Sequence, residues 1–340
     1  MPAVTDLILV NLGTPTEPTP AGVRAFLREF LSDPMVVEKP RWLWLPILHG
    51  IVLRTRPRKV AEAYREIWTP AGSPLRAGTT SIAGAVQARL GPPETSGVRV
   101  THAFRYGSPS IAERLDELAD GGGPVRVLPL FPQRTASSSG TVVDLVARLA
   151  RERGMGGRLE AIEMSPTSPP YVASLATGVR KAWDELGFGA PQDPTKPPHL
   201  VVSFHGIPEY VNEKEGQTYT ADCAATFEAL LAALGQPRER ATLAYQSRFG
   251  FDPWVGPATD EVLVELPARG VDRVVVATPG FLTAGLETIE EIGIRAREDF
   301  EAAGGKAFAL APTPVVAVDG GVPLPDDDFV EAVAELVRGD

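Results

Sequence analysis

The sequence predicts an α/β protein in two halves, each a parallel sheet with helices on both faces. Short apolar, β-branched runs alternate with amphipathic helical stretches along the whole chain. Several of these runs break abruptly at Gly or Pro, the mark of a buried strand reaching a loop. Two of the breaks also match each other. Leu7-Ile8-Leu9-Val10 followed by Asn11-Leu12-Gly13-Thr14-Pro15 aligns with the run that ends Ser203-Phe204-His205-Gly206-Ile207-Pro208. The alignment pairs Leu12 with His205, Gly13 with Gly206 and Pro15 with Pro208, a weak internal repeat. A match this short also arises by chance.

In chain order, the first strand is Leu7–Val10, and Pro20–Leu31 is a helix with Val23, Phe26, Leu27 and Phe30 on one face. The segment from Lys39 to Arg54 carries Trp42 and Trp44 in an apolar body. Arg41 precedes that body and Arg54, Arg56, Arg58 and Lys59 follow it. That is the composition of an interfacial segment or apolar lip, or of a segment tucked onto the core, and Pro46 argues against one unbroken helix across it. Helices run from Val60 and on to Leu90, and Val98–Phe104 is a strand ending in Arg105-Tyr106-Gly107. After a helix at 110–119 comes the strand Val125–Phe131 and a hydroxyl-rich loop, 132–140, that opens a helix. That loop serves either as an anion site or as plain capping.

The cluster Ser165–Pro170 is placed as the domain boundary, giving lobes 1–168 and 169–340, with the last helix expected to pack back on the first lobe. A Pro-rich connector spans 187–198. Strands then follow at 199–205, 241–246, 273–278 and 307–311, with helices around 221–234, 258–267, 287–303 and 327–336.

A formal charge of −10 argues against a nucleic-acid partner. A single cysteine, Cys223, excludes an internal disulfide and any cluster held by the chain's own thiolates, and suits a reducing compartment. Leu7–Val10 is too short for a signal-peptide core, and no window approaches the roughly 18 apolar residues of a spanning helix. The expected location is cytoplasmic, peripheral to the inner face of the membrane if the lip at 42–53 touches lipid. Neither Gly-x-Gly-x-x-Gly after a strand nor Gly-Lys-Ser/Thr occurs, so a nucleotide cradle is not supported.

Of four histidines, His205 alone stands at a strand-to-loop break with a glycine beside it that would let a ligand come close. A purely structural imidazole is the alternative. Glu287 and Glu291 are four apart at the start of a helix that follows another strand, so both carboxylates share a face near the same sheet edge. Such a trio passes protons or binds a divalent metal. Glu290 reads as a solvated first-turn acid. Leu12, Tyr106, Phe131, Phe249, Trp254 and Phe281 also lie at strand ends, an apolar lining suited to a large flat ligand.

The blocks 9–15 (LVNLGTP), 104–109 (FRYGSP), 203–208 (SFHGIP), 245–250 (YQSRFG) and 286–292 (LETIEEI), in this order, resemble the ferrochelatase family, whose members insert Fe²⁺ into a porphyrin in haem synthesis. The resemblance implies two Rossmann-like lobes of the chelatase type with the porphyrin in a cleft between them. It implies catalysis by His205 and Glu287, which are also the metal-contacting candidates, with Glu291 as acidic relay. Leu12, Arg105, Tyr106, Trp254 and Phe281 fall where the family lines its porphyrin pocket, and 42–53 matches an apolar lip; the internal repeat, by pairing Leu12 with His205, would set Leu12 on the opposite face of the ring. An apolar Leu12 looks more like the branch that uses protoporphyrin IX than the one that uses coproporphyrin III. With one Cys the chain cannot hold the iron–sulfur cluster of some members, so Fe²⁺ enters as substrate and no cofactor is required. Thr283-Ala284-Gly285 departs from the polar residues often found before the Glu, and Phe131 and Arg134 stand where Tyr is more usual. Two rivals stay open: a chelatase for another tetrapyrrole or metal, and a non-catalytic porphyrin or haem carrier.

Overall fold

The computed structural model describes residues 4–118, 121–187, 198–250, 252–317 and 323–338, so most of the Pro-rich connector at 187–198 lies outside the described residues. The chain forms two compact units, Met1–Met164 with Ala317–Pro325 and Val333–Asp340, and Ser165–Val316 with Asp326–Ala332.

In the first unit, β1 (Thr5–Gly13), β2 (Val98–Tyr106), β3 (Val125–Pro129) and β4 (Leu159–Ala161) form a sheet of order β2-β1-β3-β4, parallel throughout. In the second, β5 (His199–His205), β6 (Ala241–Gln246), β7 (Arg273–Ala277) and β8 (Ala307–Leu310) form β6-β5-β7-β8, again parallel. The continuous apolar runs follow from burial on both faces: Leu7 to Val10 and Leu200 to Val202 are all 0% exposed.

The two sheets share one topology, which gives the internal repeat a physical basis. In each, the first strand lies between the second and the third, and the turn after the second strand carries a cis proline, Ser108-Pro109 or Gly256-Pro257. The prolines' carbonyls accept equivalent bonds, from Phe104 N–H at 2.7 Å and Tyr245 N–H at 2.9 Å. The helix after the third strand opens with wide i→i+5 turns in both, Ala136–Gly140 before Thr141–Glu152 and Leu286–Ala296 before Arg297–Ala302. Wide turns of this kind gather at functional sites.

In a doubly wound sheet of this order the connections diverge between the first and third strands, and the crevice at their carboxyl ends is the natural ligand site. In the second unit those ends carry His205 and, past β7, Glu287.

One expectation is corrected. Pro46 does not interrupt the lip segment: helix runs on from Arg41–Ile47 through Leu48–Val52 to Leu53–Ile67. Proline removes one N–H and crowds the carbonyl four residues back. A wide turn at 48–52 begins two residues after Pro46. One face of this helix is core, with Trp44, Leu48 and Leu53 packed beside Leu31 and the Trp44 indole N–H donating to the Leu31 carbonyl at 2.6 Å.

Candidate functional site

His205 is the last residue of β5. Six buried residues precede it and its own side chain is exposed. Its Nδ1 is 2.7 Å from the Gly206 carbonyl oxygen. A carbonyl only accepts, so Nδ1 carries a proton in this contact and Nε2 is the nitrogen left to face outward. The Tyr219 hydroxyl donates to the His205 carbonyl at 2.6 Å, and the Phe281 ring lies 6.4 Å away, centroid to centroid. Gly206 also sits against the chain itself. A Cβ there would lie 3.0 Å from the Gln246 carbonyl oxygen and 3.1 Å from Cε3 of Trp254. Gly13, its counterpart in the repeat, has φ +117° and would place a Cβ 1.9 Å from the Tyr106 carbonyl oxygen.

Glu287 is the second residue of the wide helix Leu286–Ala296 and is partly buried. Burial pushes its carboxyl above the ordinary carboxylate range. Its own backbone N–H and the His205 imidazole pull the other way, and the charges of Glu291 and Glu290 push it further up. The Gln246 carboxamide donates to the Glu287 carbonyl at 2.7 Å. Glu291 accepts from the Ser247 N–H at 2.7 Å and the Ser247 hydroxyl at 2.6 Å. Glu290 is not solvated as expected: it is bound at both oxygens by Arg295, at 2.7 and 3.1 Å.

The second unit therefore brings His205, Glu287, Glu291, Trp254 and Phe281 to one sheet edge. Trp254 pairs with Pro208 in the loop after β5, and its indole nitrogen is buried without a hydrogen-bond partner. Thr283 is 3% exposed, and the Gly285 N–H donates to the Thr288 hydroxyl at 2.9 Å, which fixes the entry to the Glu287 helix.

Leu12, Arg105 and Tyr106 belong to the first unit. Leu12 is partly exposed at the end of β1, its N–H held by the Asn11 side chain at 2.8 Å. Arg105 and Tyr106 converge on Asp33: the Arg105 guanidinium lies 2.5 Å from its carboxylate and the Tyr106 hydroxyl 2.9 Å. The Thr141 hydroxyl reaches the same oxygen at 2.9 Å. The Tyr106 ring is 1% exposed, so it supports this cluster from within and offers no open surface. Asp33, Thr141, Tyr219, Gln246 and Ser247 were missed as functional candidates; only Gln246 and Ser247 carried a signal, as part of a strand-end break.

Chemically, one edge offers an imidazole, a carboxyl that keeps its proton more readily than usual, and a second carboxylate tied to a loop. Among the described residues no three His, Cys, Asp or Glu side chains converge as a metal cage.

The family model for ferrochelatase matches residues 5–339. The chain belongs to the ferrochelatase family. It is 44% identical over 313 residues to the ferrochelatase of Aromatoleum aromaticum, covering 92% of this chain and 83% of that one. To the ferrochelatase of Azoarcus sp. strain BH72 it is 42% identical over 311 residues, 91% of this chain and 83% of that one. Among solved structures, SirB from Bacillus subtilis with Fe³⁺ aligns with a TM-score of 0.55 and 13% identity over 99% of this chain and 98% of that one, a likeness of fold. Membership makes the chain an enzyme of porphyrin metallation in haem synthesis, with a porphyrin and iron as substrates.

Proposed function

We propose that the protein is a metal-inserting lyase that places Fe²⁺ in protoporphyrin IX, in preference to coproporphyrin III, and releases two protons per haem. The observation that carries this reading is that His205, held through Nδ1 by the Gly206 carbonyl, and Glu287, a largely desolvated carboxyl, stand at one sheet edge.

Two pyrrole N–H protons must leave and two nitrogen lone pairs must turn toward the metal. His205 takes a pyrrole proton at Nε2, and Nδ1–H on the Gly206 carbonyl holds the ring orientation while it does so. Glu287 accepts the proton in turn, because its carboxyl is destabilised when charged. Glu291, fixed by Ser247, passes it outward. His205 and Glu287 are also the metal-contacting candidates; Nε2 has one lone pair, so the ion passes to the macrocycle before that nitrogen takes a proton. An apolar, partly exposed Leu12 offers no hydrogen bond to a ring carboxylate, which supports protoporphyrin as the preferred substrate. No iron–sulfur cluster takes part, since Cys223 is the one cysteine. No helix among the described residues is long and apolar enough to cross a membrane. We place the protein in the cytoplasm with the lip at 42–53 against the inner face of the membrane, on the strength of its exposed apolar side chains.

The test is anaerobic incubation of the protein with each porphyrin, with and without Fe²⁺, read by absorbance. Iron-dependent conversion, faster with protoporphyrin, is the expected result, and His205→Ala lowers it at least about 100-fold. A folded His205→Ala variant with the wild-type rate sinks the assignment. Porphyrin binding without conversion would show a carrier.

A further inference from the structure

Gln246 closes β6 and touches both halves of the proposed acid–base pair. Its backbone carbonyl accepts the N–H of Gly206, the residue after His205, at 2.8 Å. Its side-chain NH₂ donates to the Glu287 carbonyl at 2.7 Å. Its Oε1 is 2.8 Å from the Ser203 hydroxyl, which lies 2.7 Å from that of Thr259. Gln246 is 3% exposed, Ser203 0% and Thr259 1%, so water competes for none of these bonds.

The directions are fixed by chemistry. The Glu287 carbonyl can only accept, so the NH₂ end faces it and Oε1 faces Ser203. Ser203 spends its proton on Oε1 and must accept from Thr259. The buried line Thr259 to Ser203 to Gln246 to Glu287 is thus a one-way relay of donors that ends on the backbone of the proposed proton acceptor, and each bond polarises the next.

We propose that Gln246 is a positioning residue for metal insertion, locking the His205 loop and the first turn of the Glu287 helix into one frame so that imidazole and carboxyl keep the spacing a proton handoff needs. It rests on the reaction proposed above. Gln246 is too buried to meet a porphyrin, so its loss acts on turnover and leaves substrate binding alone. A misplacement near 1 Å costs on the order of 100-fold in rate.

Two variants test it, assayed beside the wild type for kcat, porphyrin KM, Tm and pH profile. Gln246→Met keeps the length and removes the donor. It is expected to lower kcat about 30-fold with KM within about twofold. In Gln246→Glu the neutral carboxyl reproduces both bonds, O–H to the Glu287 carbonyl and C=O from Ser203. Once ionised it cannot donate. Gln246→Glu should therefore approach wild-type turnover at low pH and lose it as pH rises while its Tm stays level over the same range, whereas a merely structural role would move Tm and turnover together. A folded Gln246→Met with kcat within about twofold of wild type overturns the proposal, as does a Gln246→Glu profile that superimposes on the wild type. If Gln246→Met does not fold, the Gln246→Glu profile decides alone. Wild-type protein that metallates nothing overturns the underlying reaction and this inference with it; active wild type beside indifferent variants overturns the inference only.

Discussion

Ser247 holds Glu291 twice, by its N–H at 2.7 Å to one oxygen and its hydroxyl at 2.6 Å to the other. It does so from φ +66°, a left-handed conformation that side-chain-bearing residues rarely adopt. Both replacements at this site lose the hydroxyl bond, but only Ser247→Ala keeps the Cβ penalty. Ser247→Gly should therefore be the more stable of the two by about 1 kcal/mol in urea unfolding. Equal stability, or a more stable Ala, would mean that the backbone is not held there.

Glu287 is ionised at a cost to the fold. Its pKa is raised in the folded state, mainly by burial, so the stability it contributes is present below the ordinary carboxylate pKa and is lost as pH rises through the folded value. Glu287→Gln removes that charge. It should be more stable than wild type at pH 7, with the difference shrinking as pH falls toward about 4, while metal insertion drops. Unfolding midpoints across pH, with turnover at pH 7, check both arms. A variant less stable than wild type at pH 7 would show that the partners of Glu287 outweigh its burial.

The parallel sense of the sheets and the strand ends at His205 and before Glu287 were legible because apolar runs buried on both faces end sharply at Gly and Pro; the strand order was not. What stayed hidden has local physical causes. β4, Leu159-Glu160-Ala161, is three residues long and shows no period. The helix runs on through both Pro46 and Pro57, against the breaker rule, and a wide helix such as Leu286–Ala296 looks in sequence like an ordinary one. Asp33 and Thr141 meet Arg105 across 72 and 36 residues, a pairing no local pattern encodes. Gln246 reaches the Gly206 and Glu287 segments through main-chain groups that every residue has, and its side-chain partner Ser203 lies 43 residues away, so no local pattern encodes the contacts.

Burial holds the imidazoles of His102 and His199 at pKa values of about 4, with repulsion from Arg114 and Arg76 at the first and from Arg269 and Arg240 at the second. An unfolded histidine titrates near ~6.5. Both therefore stabilise the fold above that pH, and the contribution is lost as pH falls from ~6.5 toward the folded values, where the unfolded chain binds more protons. Stability should decline through this window, and His102→Gln or His199→Gln should each flatten the slope. Equilibrium unfolding at half-unit pH steps measures it. An unchanged slope in both variants would place the acid sensitivity elsewhere.

The lip helix presents a second face opposite Trp44 and Leu48. Trp42 is 79% exposed, Leu43 45%, Ile47 37% and Ile51 59%, and Arg54, Arg58 and Lys59 beyond them are also exposed. Side chains this exposed contribute little to folding, so replacing Trp42 and Ile51 by Ser should leave Tm within about 2 °C. Apolar side chains beside basic ones favour an anionic lipid surface, the first by burial in the headgroup region and the second by charge. The wild-type protein should co-sediment with vesicles containing anionic lipid, and rising salt should weaken the contact by screening its charged part. The Trp42→Ser, Ile51→Ser double variant should lose most of that binding while keeping its turnover on detergent-solubilised porphyrin. If the double variant sediments as well as wild type, the membrane contact does not run through this face, and the exposed row must be explained by another partner.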